Sequence, residues 1–78
     1  MAEHDGYYTM KRVGKIIRLE REKKKLKQKE LAEKAGINNC SLNRFEKGLK
    51  VAKLSTLEKI AAAMGMRIEV SLVEEKRT

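Results

Sequence analysis

Apolar residues recur through most of this chain at the three- and four-residue spacing of an α-helix, and glycines interrupt the pattern at intervals. Positions with this spacing fall on one helical face, so the pattern predicts four helices. Their expected bounds are about 9–24, 28–35, 39–47 and 55–64. Thr9 is the expected N-cap of the first helix. Glycines follow the other three helices, where a left-handed residue is favoured: Gly36, Gly48 and Gly65.

Polar residues at the helix starts support several of these boundaries. Asn38 is a strong cap for the third helix, and Ser55 with Glu58 forms a capping box for the fourth. Lys27 stands at the cap position of the second helix, where a hydroxyl or amide is preferred. Glu30 lies three residues further on, and its carboxylate can accept a hydrogen bond from the free backbone N–H of Lys27. The second helix is therefore predicted despite its poor cap.

The hydrophobic period changes to two after Gly65. Apolar side chains alternate with polar ones, which predicts a β-strand over 66–73. A lone strand cannot satisfy its own backbone, and no second strand is evident, so the same strand of a second copy is the expected partner. The predicted homodimer interface consists of Met66, Ile68, Val70 and Leu72. The alternative is an amphipathic fifth helix with Met66, Val70 and Val73 on one face.

The 78 residues allow one domain, predicted as a partly flexible arm 1–10, a helical domain 11–65, the dimerisation strand and a flexible tail 74–78. The net charge is +8, and it is concentrated. Residues 11–53 carry 15 basic and 5 acidic residues, or +10, and the rest of the chain has −2. Such an excess favours a polyanionic partner over a merely charge-rich surface, because Lys and Arg release counterions when they neutralise phosphates.

Candidate catalytic and metal-binding sets are missing from the sequence. The one histidine, His4, lies near the N-terminus, and the one cysteine, Cys40, has no second metal ligand near it. We therefore expect no enzyme activity, no metal and no cofactor. The single cysteine fits a reducing compartment, and no apolar run approaches the roughly 20 residues of a membrane span, so a cytoplasmic protein with no membrane partner is expected.

Residues 28–48 carry the strongest functional signal. They read as two short helices joined by a tight turn, and the second has an apolar inner face, with Leu42 and Phe45, and a polar outer face. Proteins use this arrangement to place a helix in the major groove of double-stranded DNA. The other interpretations of the chain are a membrane-surface helix around residues 11–29 and a module that binds nucleic acid without sequence preference.

The order of residues closely resembles the Cro/CI (XRE-type) helix-turn-helix family, and the likeness covers about residues 17–65. The likeness is carried by three separated motifs: Gln28-x-Glu30-Leu31-Ala32 with Ala35-Gly36-Ile37, Leu42-Asn43-Arg44-Phe45-Glu46-Lys47-Gly48, and Leu57-x-x-Ile60-Ala61-x-x-Met64-Gly65. The resemblance implies a mostly α-helical, lambda-repressor-like domain of four helices, whose third helix enters the major groove. The predicted strand is added to that domain.

The resemblance also implies roles for single residues. Base edges are expected to contact Asn39, Cys40 and Arg44, and Arg44 has the guanidinium fork that fits guanine O6 and N7. The residues expected on phosphates or the groove wall are Lys27, Gln28, Ser41, Asn43, Lys47 and Lys50. Arg44 could instead contact phosphate, Asn39 could instead contact phosphate or act as a second cap, and Ser41 could serve the helix end. Arg21 and Glu46 match a structural ion pair between the first and third helices.

The chain departs from the family at Lys27, which replaces a usual threonine, and at the strand 66–73. A strand after the fourth helix resembles the antitoxin branch, with its HipB-like and HigA-like proteins. The sequence therefore predicts a transcriptional repressor, a homodimer on a near-palindromic operator, and an antitoxin with a toxin partner. The alternatives are a repressor without a toxin and a nonspecific nucleic-acid-binding module.

Overall fold

The computed structural model describes residues 6–72 and residue 74, with side chains from Met10 onward. It contains four helices in this part of the chain: α1 (Gly6–Lys23), α2 (Gln28–Ala35), α3 (Asn39–Lys47) and α4 (Leu54–Ala63). The bounds of α2 and α3 coincide with the predicted ones. The remaining residues of the predicted arm, strand and tail, which are 1–5, Val73 and 75–78, lie outside the described residues.

Two helices begin earlier than their capping signals predicted. α1 includes Thr9, so this residue is not an N-cap, and residues 6–10 of the predicted arm are helical. The N-cap position of α4 falls on Lys53, whose carbonyl accepts the first helical hydrogen bond from Leu57 at 3.0 Å. Ser55 consequently lies inside the first turn of α4, and the predicted capping box with Glu58 is wrong.

A short, fully bonded turn joins α2 to α3. Gly36 adopts φ +71°, and Ile37 N–H donates to the Ala32 carbonyl at 2.9 Å, which ends α2. Asn38 then begins α3, because its Oδ1 accepts from Cys40 N–H at 2.7 Å and from Ser41 N–H at 3.4 Å. These local bonds fix the angle between the two helices.

The core draws side chains from all four helices. Its fully buried members are Leu31 of α2, Leu42 of α3 and Ile60 of α4, and Ile17 of α1 packs on the same cluster. Burial of one such side chain contributes about 1.5–3 kcal/mol. Ile16, the neighbour of Ile17 on α1, is 61% exposed.

Gly14 sets how closely α1 approaches α3. A Cβ at this position would overlap the carbonyl oxygen of Phe45 and lie 2.9 Å from that of Glu46. Only glycine leaves room for this backbone-to-helix contact. The contact brings the basic residues of α1 beside the C-terminal half of α3.

The predicted C-terminal strand is not formed. Residues 66–72 have neither strand nor helix structure, which also excludes the predicted fifth helix over the described residues. A strand requires ladder hydrogen bonds to a second backbone, and the single chain supplies none to this segment. The alternating apolar side chains therefore remain accessible, with Val70 exposed to 70% and Leu72 to 98%.

Candidate nucleic-acid interface

The outer face of α3 is polar and accessible. Asn39, Cys40 and Arg44 are exposed, whereas Leu42 and Phe45 on the opposite side are buried in the core. Asn38 caps the helix from outside and leaves Asn39 and Cys40 in its first turn. The three residues predicted to contact bases therefore lie on solvent-facing positions of one helix.

The helical repeat of about 100° per residue orders the side chains around α3. Cys40 and Arg44 lie at the centre of the outer face. Asn39, Asn43 and Lys47 follow one another at four-residue spacing along one edge, and Ser41 lies at the other edge. The expected base-contacting centre is thus flanked on both sides by residues predicted to contact phosphates.

Arg44 has no carboxylate partner among the described residues and its side chain is exposed. All five of its N–H donors are consequently available to a ligand. Its guanidinium can present two parallel donors to guanine O6 and N7, or to two phosphate oxygens. The contact to a base remains a prediction of the sequence.

A buried polar network lies behind the Asn39–Lys47 edge and joins three helices. Arg21 of α1 donates from Nε to Glu46 Oε2 at 2.7 Å, and from its terminal nitrogens to Glu46 Oε1 at 3.0 Å and to the Leu26 carbonyl at 2.9 Å. Gln28 Nε2 donates to Glu46 Oε1 at 3.0 Å, and Asn43 Nδ2 donates to Gln28 Oε1 at 3.3 Å. These hydrogen bonds link α1 to α2 through Glu46, and they link α2 to the outer edge of α3.

Burial and hydrogen bonding give the ion pair at the centre of this network its strength. The Glu46 side chain is only 2% exposed and that of Arg21 12%. The hydrogen bond to Glu46 raises the pKa of the Arg21 guanidinium, and partial burial acts against that rise. Arg21 therefore stays charged at every pH at which the protein can be studied.

The network limits how Gln28 and Asn43 can contact a phosphate, because their side chains are hydrogen-bonded to each other. The side-chain oxygen of Gln28 and one of its amide hydrogens are already bonded within the protein, which leaves one hydrogen for a ligand. The first backbone N–H groups of α2 have no partner within the helix. Lys27 uses its own N–H on Glu30 Oε1 at 2.8 Å, as the sequence predicted.

At the opposite edge, Lys50 is held against α3. Its Nζ lies 3.4 Å from Ser41 Oγ, and the ammonium lies 5.6 Å from the centre of the Phe45 ring. Cation–π attraction and the hydrogen bond keep this lysine near the N-terminal half of α3. This contact could not be predicted from the sequence pattern, because the intervening turn at Gly48 decides where Lys50 lies.

Five of the six predicted phosphate-contacting residues form two groups, and Lys27, exposed before α2, lines neither groove. Gln28, Asn43 and Lys47 line a polar groove between α1 and α3, and Ser41 and Lys50 line a second groove between α3 and α4. A helix in the major groove meets a phosphate chain on each side. The two groups therefore have the arrangement that a helix-turn-helix domain needs for DNA.

Residues 17–70 match the helix-turn-helix family, and this range is more than half of the chain. The protein therefore belongs to the helix-turn-helix family of DNA-binding proteins. It is similar to the immunity repressor protein of Bacillus phage phi105, with 38% identity over 63 residues that cover 81% of this chain and 44% of that protein. An uncharacterized HTH-type transcriptional regulator of Mycobacterium tuberculosis is 35% identical over 60 residues, which cover 77% of this chain and 43% of the regulator. The chain thus spans less than half the length of these curated relatives.

Solved structures share the fold. The restriction-modification controller protein C.AhdI from Aeromonas hydrophila is 28% identical, with a TM-score of 0.78 over 82% of this chain and 93% of that chain. A chain of the HipA-HipB-O2-O3 complex is 20% identical, with a TM-score of 0.72 over 95% of this chain and 99% of that chain, and this likeness shows the fold alone. Within the described residues, no helix is long and apolar enough to cross a membrane.

Proposed function

We propose that this chain is a sequence-specific double-stranded DNA-binding repressor of transcription. The observation that carries the proposal is the exposed polar face of α3, which has an unpaired arginine at its centre and polar or basic groups at both edges. Immunity repressor and transcriptional regulator are the names of similar proteins, which supports the regulatory role.

In the proposed complex, α3 lies in the major groove. Arg44 bonds guanine O6 and N7, Asn39 bonds adenine N6 and N7, and Cys40 packs near a thymine methyl group. The phosphate contacts on one side come from the α2 N-terminus at Gln28 and from Lys47, and those on the other side come from Lys50. These outer contacts orient α3 but carry no direct sequence information.

We infer that the repressor acts as a homodimer. Apolar side chains of α1, α4 and the 66–72 segment border an open groove of about 340 Å³, and Ile16 and Met66 at its rim are 61% and 39% exposed. A second copy that covers this groove would also cover the exposed Val70 and Leu72, which follow the groove residues Ile68 and Glu69 in the chain. Two such domains related by a two-fold axis would read a near-palindromic site with half-sites about one helical turn apart.

In this proposal the protein acts by binding DNA, and it does so in the cytoplasm. Neither enzyme activity nor a cofactor is part of the proposal. A toxin partner is not included either, since the strand that linked the sequence to antitoxins is not formed in 66–72.

Selection of bound duplexes from a random pool, at one fixed salt concentration, tests the proposal directly. The expected result is an enriched site with two-fold symmetry, protected in a footprint and bound about 10³-fold or more tightly than random duplex. Equal binding of selected and random duplexes across a salt titration would instead indicate a nonspecific nucleic-acid module. No binding at low salt would overturn both.

A further inference from the structure

The polar groove between α1 and α3 is larger than the contacts assigned to it require. Its volume is about 640 Å³. Gln28, Asn43 and Lys47 form one wall, and α1 forms the other with Lys15, Arg18 and Glu22. These three residues of α1 fall on one face, because they are three and seven positions apart. The groove is therefore continuous with the edge of α3 that is expected to lie along a phosphate chain.

Apart from Arg21, which is paired with Glu46, the cations that line this groove have no carboxylate partner among the described residues. Lys15, Arg18 and Lys47 are exposed, and none has a carboxylate within ion-pair distance among the described residues. Lys23 at the end of α1 and Lys24 directly after it are in contrast paired with Glu20 at 3.7 and 3.5 Å. The unpaired charges are thus gathered in the groove rather than spread along the helix.

The groove favours an anion. Glu46 at its floor is paired with Arg21, which leaves three unpaired cations against the single exposed carboxylate of Glu22. The N-terminus of α2 adds its free N–H groups and its positive dipole end at Gln28. A ligand with one negative charge per repeating unit would find several donors along its path.

We propose that Lys15 and Arg18 of α1 bind backbone phosphates of the same DNA strand that Lys47 and the α2 N-terminus contact. This inference rests on the proposed function and extends it. In a helix-turn-helix complex the helix before the recognition helix crosses the phosphate chain, and here the preceding helix α1 prolongs that track. The footprint of each domain is therefore longer than the α2–α3 unit alone would give.

Neutral polar substitutions test this proposal: Lys15→Gln, Arg18→Gln and the double variant. Lys34→Gln and Lys59→Gln are matched controls, since both lysines are exposed and lie outside the groove. Affinity for the selected site and for random duplex is measured between low and physiological salt. Each groove substitution should weaken both duplexes alike and lower the salt slope by about one, while the controls leave the slope unchanged.

Replacement of single phosphates by uncharged methylphosphonates locates the contact. One or two replacements should weaken the wild-type protein and have no further effect on the Lys15→Gln/Arg18→Gln variant. A wild-type salt slope in that variant, or equal sensitivity of both proteins to every replacement, would overturn the proposal. Because the wild-type protein is tested for site preference in the same series, loss of preference there would identify failure of the proposed function instead.

Discussion

Arg21 and Glu46 form a two-pronged ion pair across the interface of α1 and α3, with Nε 2.7 Å from Oε2 and a terminal nitrogen 3.0 Å from Oε1. Both side chains are largely shielded from water, and Gln28 donates a hydrogen bond to the same carboxylate. The ion pair therefore contributes to the packing between the helices as well as to the surface of the domain. It holds α1 and α2 against the inner side of α3.

Removal of the buried carboxylate should destabilise the domain strongly. Glu46→Ala leaves Arg21 charged and without its partner, which costs about 3–5 kcal/mol for a buried pair. Urea unfolding followed by circular dichroism measures this loss. Glu33→Ala, at an exposed position of α2, should change the free energy of unfolding by less than about 0.5 kcal/mol. Similar midpoints for the two variants would show that the ion pair contributes little.

Arg44 should determine one base pair in each half-site. Arg44→Ala is expected to lose about 1–3 kcal/mol of discrimination at that position, as measured by competition between duplexes that differ there. Arg44→Lys distinguishes a contact of this residue with a base from a contact with a phosphate. A lysine keeps the charge but lacks the fork, so a base contact is lost and a phosphate contact is largely retained. Full rescue of base discrimination by lysine would contradict the assignment.

Lys50 should contribute affinity without specificity. Its position beside Ser41 and the Phe45 ring places the ammonium at the edge of α3, away from the centre of the outer face. Lys50→Ala should weaken all duplexes in similar proportion and lower the salt slope by about one. Lys34→Ala provides the comparison at an exposed lysine of α2. A changed base preference in the Lys50 variant would argue for a direct role in readout.

Gly14→Ala should destabilise the fold through backbone overlap. The added methyl group would meet the carbonyl oxygens of Phe45 and Glu46, so α1 must move away from α3. Overpacking of this kind costs about 1–3 kcal/mol, which exceeds the gain in helix propensity of about 1 kcal/mol from replacing glycine. Thermal unfolding gives the shift. Lys15→Ala on the exposed side of α1 serves as the control, and equal melting temperatures would contradict the close approach.

Val70→Asp should weaken the proposed dimer. A charge on this exposed position would have to lose water when a second copy covers the apolar groove. Sedimentation equilibrium of the free protein should show the wild type as a dimer and the variant shifted toward monomer. Val51→Asp changes a valine of similar exposure, 62%, which lines the separate groove between α3 and α4 with Lys50, and should leave the association unchanged. A Val70 variant that remains fully dimeric would place the interface elsewhere.

Local signals determined how much of this fold could be predicted. Gly36, Asn38 and Gly48 act within a few residues of their positions, so the bounds of α2 and α3 followed from sequence alone. The start of α4 did not follow from the sequence. The hydrogen bond from Leu57 N–H to the Lys53 carbonyl places the N-cap at Lys53, before the cap predicted at Ser55. The alternation after Gly65 failed for a different reason. It describes which side chains are apolar, whereas a strand also needs a second backbone that the pattern cannot supply.

The candidate site shows the same division. The exposed positions of Asn39, Cys40 and Arg44 follow from helical period, and so does their placement opposite the core. The hydrogen bond from Asn43 to Gln28 joins residues 15 positions apart, and no periodicity reports such a contact. The groove beside Lys15 and Arg18 depends on how α1 packs on α3, which is set by the tertiary contact at Gly14.

The bond between Asn43 and Gln28 also bears on what kind of DNA the protein can accept. It ties the start of α2 to the outer edge of α3, so in the proposed complex the phosphate anchor and the reading helix cannot shift independently. Because this spacing is fixed, the domain fits best to DNA whose groove has the matching width. DNA whose groove departs from that width must be deformed to fit, and its stiffness then contributes to recognition at base pairs that no side chain touches.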